Sequence, residues 1–147
     1  MQDVIHLVCT TQQMKHLYES CCKTLSTQYQ LTKNEIDVLL FLANNAPFDT
    51  ARDIVEYRAI SKSHVCQSVD RLTRRGFLTG TQDEKDRRCI HLKLQPAVMP
   101  IVRQAQQMQQ DFFHTLYQGV TQDELEVVKA VFQKISNNIE EASQNGR

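Results

Sequence analysis

The sequence predicts a mainly α fold carrying one small β-hairpin, and three observations predict it. Apolar residues recur at spacings of three and four over most of the 147 residues, as amphipathic helices require. Four glycines and three prolines leave little material for tight turns, which disfavours an all-β sandwich or barrel. One central stretch, residues 77–94, instead alternates polar and apolar residues on either side of a charged turn. At 41% hydrophobic and 23% charged, the chain has the composition and length of one core-forming globular domain.

The first helix is predicted by a stripe of Val4, Leu7, Val8, Met14, Leu17, Tyr18, Cys21, Cys22 and Leu25, and it should end near residues 28–30. Thr32 followed by Glu35 is a capping box, so a second helix runs from Lys33 to about Asn44 with Ile36, Leu39, Leu40 and Ala43 inward. Asn44, Asn45 and Pro47 make a loop. Asp49 or Thr50 can then cap a short helix with Ala51, Ile54 and Val55 on its apolar face. Ser61 opens the next helix, whose inner positions are Val65, Val69 and Leu72. Its basic end, Arg71, Arg74 and Arg75, suits the negative pole of a helix, and Gly76 is a left-handed stop. Two short helices joined by a turn of about three residues outline a helix-turn-helix.

Residues 77–81 read as one strand, and Ile90, Leu92 and Leu94 alternate with Cys89, His91 and Lys93 in a second. The turn between them, Gln82 to Arg88, is apolar-free, so its tip points into solvent. Pro96 suits a first helical turn, and Val98, Ile101, Val102, Ala105, Met108, Phe112 and Leu116 carry that helix toward Gly119. Thr121 and Glu124 form another capping box before a heptad-spaced face of Leu125, Val128, Phe132, Ile135, Ile139 and Ala142. The terminal stripes exceed what the central lobe can cover, which predicts a homodimer.

Composition also narrows the function. The longest apolar run, Val38 to Ala43, has six residues, against the roughly 20 of a membrane-spanning helix. The first residues lack a basic start followed by an apolar stretch, so a cytoplasmic protein is expected. There is no nucleophile-elbow pattern, Gly-rich phosphate loop or H-E-x-x-H, so an enzyme is not expected. Net charge is zero, but residues 47–94 hold 10 basic against 7 acidic groups, while the flanks are slightly acidic. A basic centre suits a polyanion.

The strongest local signal runs from Ile60 to Leu94. Ser61, Lys62, Ser63, His64, Gln67 and Ser68 at the start of the capped helix offer hydroxyls, an amine, an imidazole and an amide to base edges in a major groove. Gln67 can pair with adenine, and Lys62 can reach guanine or phosphate. At the hairpin tip, Lys85, Asp86, Arg87 and Arg88 place an acid beside two guanidinium groups, so Asp86 can orient an arginine for a narrow minor groove. The bland alternatives are a solvated helix face and an ordinary surface ion pair.

These residues resemble a known family. LTKNEIDVLLFL, SHVCQSVDRLTRRGFL and DEKDRRCIHLKL, within residues 31–95, are similar to the winged helix-turn-helix of the MarR family of bacterial transcriptional regulators. The resemblance implies one chain over 1–147, with the winged lobe at 31–95 and long N- and C-terminal dimerisation helices at 1–30 and 96–147. It implies double-stranded, pseudo-palindromic DNA as a partner, a second copy of the chain, a small-molecule effector, and a repressor's release by that signal. By position, the recognition helix starts at Ser61 to Ser68, Asp86 is the wing's orienting acid, and Arg87 or Arg88 is the minor-groove arginine. Thr32 and Thr50, at helix starts, are candidate phosphate contacts. Where many relatives have proline before the wing's aspartate, this chain has Glu84 or Lys85.

Two further signals stay open on the residues alone. Cys9, Cys21 and Cys22 on the first helix are candidate redox thiols, set against their reading as small buried hydrophobes. His6 with Cys9, or Glu19 with Cys22, and His114 from the fifth helix could hold a metal, although such spacings arise easily by chance. No C-x-x-C zinc pattern is present, and no cofactor is expected.

Overall fold

A computed structural model describes residues 2–146. Its elements follow in chain order: α1 (Gln2–Tyr29), α2 (Lys33–Asn44), α3 (Ala51–Arg58), α4 (Lys62–Arg74), β1 (Leu78–Gln82), β2 (Ile90–Leu94), a 3-10 turn (Pro96–Val98), α5 (Met99–Leu116) and α6 (Gln122–Asn145). β1 begins one residue later than expected, because Phe77 N–H is still bonded to Leu72 O at the end of α4. α5 stops at Leu116, short of Gly119, which takes φ +79 in the following turn.

The helix starts lie where their caps place them. Thr32, Thr50 and Thr121 each accept the backbone N–H of the residue three further on, and Glu35, Asp53 and Glu124 return the bond to the cap's own N–H. At the second of these the cap is Thr50, not Asp49. Arg75 caps the C-terminus of α4, and Gly76 follows at φ +73, a conformation that a side chain would strain.

The chain divides into two compact units, Met1–Phe113 and His114–Arg147. In the first, Ile36, Leu39 and Leu40 of α2, Ile54 of α3, Val65 and Leu72 of α4, Leu78 and Leu92 of the hairpin, and Val98 and Val102 form one core. The C-terminal half of α1 adds Cys22 and Leu25 to it. Its N-terminal half adds nothing: Val4, Ile5, Leu7 and Val8 are all exposed. β1 and β2 pair antiparallel, with Leu78 opposite Leu94 and Gln82 opposite Ile90. The second unit carries α6, which has no buried residue among those described, and Val128, Phe132, Ile135 and Ile139 lie exposed along it.

Candidate nucleic-acid interface

α4 is built to keep one face free. Val65, Ser68 and Leu72 point into the core, so Lys62, Ser63, His64 and Gln67 are left exposed. Ser68 is therefore corrected: at 4% exposure it is a packing residue, lying one helical turn after Val65 on the inner face, and it offers nothing to a groove. Ser61, the N-cap, spends its hydroxyl on His64, accepting from its N–H and lying 2.8 Å from Nδ1.

The start of α4 differs electrostatically from its neighbours. α2, α3 and α6 each carry an acid in the first turn, whereas α4 carries none and has His64 in the position of their Glu or Asp. The partial positive charge at its N-terminus is thus not neutralised by the chain itself. A polyanion meets less repulsion there than at any other Ser- or Thr-capped helix among those described.

The two candidate phosphate contacts differ in what their own donors leave free. Thr50 donates both its N–H and its hydroxyl to Asp53, so no donor is left over. Thr32 gives its N–H to Glu35 and retains only the hydroxyl hydrogen. In each case a carboxylate of the same helix accepts the cap's own N–H.

The wing turn is shaped by two aspartates. Asp83 accepts from the backbone N–H groups of Lys85 and Asp86, both at 2.9 Å, and Asp86 accepts from the backbone N–H of Arg88 at 3.0 Å. Gln82 closes the turn with a 2.8 Å bond to Arg87 O. Lys85, Arg87 and Arg88 are all exposed. Asp86 thus holds Arg88, and Gln82 holds Arg87, through the main chain. The expected ion pair between the Asp86 carboxylate and a guanidinium does not form, because the carboxylate is turned back into the loop.

Sequence reading missed His91. Its Nδ1 lies 2.7 Å from Asp49 and its Nε2 2.9 Å from Asp83, and these bonds to two carboxylates push its pKa up to about 9. Asp49 is 42 residues away, and no local pattern marks the pairing. The basic end of α4 is likewise more than a dipole complement: Arg75 donates to the carbonyls of Tyr29 and Gln30 where α1 ends, while Arg74 pairs with Asp70.

A cleft of about 600 Å³ lies beside this lobe, lined by Lys15, Tyr18, Lys33, Arg58, His64 and Phe112 among others. At its floor Asp37, 1% exposed, accepts from Tyr18 at 2.7 Å, Lys33 at 2.8 Å and Arg58 at 2.6 Å. Burial, and then the Asp37 carboxylate, hold the Tyr18 phenol protonated. The same two causes push the buried Cys22 thiol up to about 11. Cys22 is thereby corrected from redox candidate to packing residue, since oxidation proceeds through the thiolate. Cys9 is exposed and Cys21 half-buried. Twelve residues apart on one helix, those two sit about 18 Å from each other, too far for a disulfide within the chain. Among the described residues, no group of three or more His, Cys, Asp and Glu side chains is arranged to hold a metal.

A helix-turn-helix followed by a two-stranded hairpin, with an exposed polar helix face and a basic turn, defines the winged helix-turn-helix class. Residues 29–88, about two fifths of the chain, match the model of the MarR family. The chain is 23% identical over 86 residues to the transcriptional repressor MprA of Escherichia coli K12, a match covering 58% of this chain and 49% of that one; the chain thus spans about half the length of the curated relative. The fold is shared along nearly the whole chain. A MarR-family regulator from Silicibacter pomeroyi superposes with a TM-score of 0.76 at 17% identity, covering 88% of this chain and 87% of that one. A MarR protein from Peptoclostridium difficile gives 0.78 at 16%, covering 96% and 92%. BpsR of Bordetella bronchiseptica, described as regulated in its DNA binding by 6-hydroxynicotinic acid, gives 0.68 at 21%, covering 91% and 98%. Among the described residues no helix is long and apolar enough to cross a membrane.

Proposed function

We propose that the chain is a homodimeric, non-enzymatic transcriptional repressor that holds a pseudo-palindromic operator and releases it when a small organic acid enters the cleft. The observation that carries this reading is the juxtaposition of the exposed face of α4, Lys62, Ser63, His64 and Gln67, with a wing that exposes Lys85, Arg87 and Arg88. The helix supplies donors and acceptors at the width of a major groove, and the wing supplies guanidinium groups for the adjacent minor groove. The uncompensated N-terminus of α4 favours the same partner.

The exposed apolar faces of α1 and α6 support the dimer, since each requires cover that its own unit does not provide. The cleft supports an anionic effector. Lys15, Lys33 and Arg58 outnumber Glu19 and Asp37 there, and Tyr18 and Phe112 supply aromatic walls. Its wall includes Ser61 and His64, so an occupant touches the start of α4 directly. A thiol switch is the second reading, and the exposure of Cys9 is what favours it.

The test is fluorescence anisotropy on duplex DNA from immediately upstream of the chain's own gene. Arg87→Ala with Arg88→Ala should weaken binding at least about tenfold and lower the salt dependence while leaving the dimer intact. Unchanged affinity would remove the wing from the interface. The same titration after mild peroxide separates the two signals, because release reversed by dithiothreitol selects the thiol switch.

A further inference from the structure

We propose that His91 is a positioning residue for DNA binding: its imidazole clamps the wing to the segment that opens α3 and so sets where Arg87 and Arg88 stand relative to α4. The inference rests on the DNA-binding reading above and adds to it a residue that sends no side chain toward DNA.

The geometry is a bridge between two parts of the lobe. One imidazole edge meets Asp49 at the mouth of α3 and the other meets Asp83 at the root of the wing turn. The main chain follows the same route, with Leu92 N–H donating to Asp49 O at 2.8 Å and Thr50 and His91 forming an antiparallel bridge. Asp83 is also the residue whose second oxygen gathers the N–H groups of Lys85 and Asp86. A displacement at His91 therefore passes straight into the turn that presents the arginines.

The clamp depends on charge. The groups facing this place are Asp49 and Asp53 from the start of α3, and Asp83, Asp86 and Cys89 from the wing, with Arg52 beside Asp53. The Cys89 thiol is raised by burial and then by all four of these carboxylates, which marks how acidic the place is. An imidazolium donates from both nitrogens, whereas a neutral imidazole donates from one. Loss of the proton thus breaks one side of the bridge and leaves the carboxylates uncompensated on a surface that meets phosphates. With its pKa raised from 6.5 to about 9, the folded-state imidazole stays charged through neutral pH, and the clamp is lost as pH rises through about 9.

The test uses the full chain and the same upstream duplex, at about pH 7.5 and about pH 9.5. His91→Gln keeps a donor nitrogen on one side only and loses the charge, and circular dichroism reports whether it folds. We expect it to bind about fivefold more weakly than wild type at the lower pH and to change little with pH, while wild type falls toward it. Equal affinity at the lower pH, with parallel profiles, would overturn the clamp. A wild-type chain that shows no salt-dependent binding at either pH would overturn the DNA-binding reading instead. The remaining arm needs neither DNA nor a variant: in wild type the backbone amides of Arg87 and Arg88 should shift by NMR with the midpoint of the His91 ring, near pH 9. Arginine amides that ignore that midpoint would also overturn it.

Discussion

Asp37 shows how much one side chain carries in this lobe. It is 1% exposed, and a phenol, an ammonium and a guanidinium converge on its two oxygens. A buried carboxylate is tolerated only where such partners replace water. Removing it strands the partners rather than freeing them. Asp37→Ala should therefore destabilise the chain by about 3 kcal/mol, read as a lower urea midpoint at unchanged slope. A loss under about 1 kcal/mol would mean that water enters and replaces the carboxylate. Only the Lys33 partner, one helical turn away, is visible in the sequence. Tyr18 and Arg58 lie 19 and 21 residues off, and packing alone brings them in.

At the scale of the element, helix starts are the most legible feature of this chain. The hydroxyl-x-x-acid pattern at Thr32 and at Thr121 marked α2 and α6 correctly, because a cap is satisfied within four residues and needs no tertiary partner. The same box at Thr50 has a further use here. It holds the mouth of α3, from which Asp49 reaches His91. Thr50→Ala should cost about 1 kcal/mol and lower Tm by a few degrees, and through Asp49 it should also weaken DNA binding. Unaltered melting would show that the Asp53 carboxylate caps α3 without the hydroxyl. α4 shows where local reading stops. Its period of apolar positions is clear, yet Ser68, a small polar residue expected on the exposed face, lies inward beside Val65 and Leu72.

For the whole molecule, the exposed faces of α1 and α6 matter most. Val4, Ile5, Leu7 and Val8 on the first, and Val128, Phe132, Ile135 and Ile139 on the second, are too extensive to be scattered surface residues. Under the proposed function they meet a second copy, and the dimer in turn couples two half-sites about 34 Å apart. Phe132→Asp with Ile135→Asp should yield a monomer by sedimentation while α6 stays helical. Operator binding should then fall at least about a hundredfold, since each lobe is left to bind a single half-site. A variant that remains dimeric would place the contact elsewhere.

The sequence by itself determined the order of the helices, their caps, the hairpin and the basic tip, because each depends on neighbours within one turn or on a repeating period. It also carried the resemblance to the MarR family. Tertiary structure decided the interactions between distant residues. It turned Ser68 and Cys22 inward. It brought Asp49, Asp83 and His91 together. The physical reason is the range of the forces concerned. Capping and periodicity are satisfied locally, whereas the burial of a thiol, the choice of an inner face and the pairing of an imidazole with two carboxylates depend on what the folded chain brings alongside.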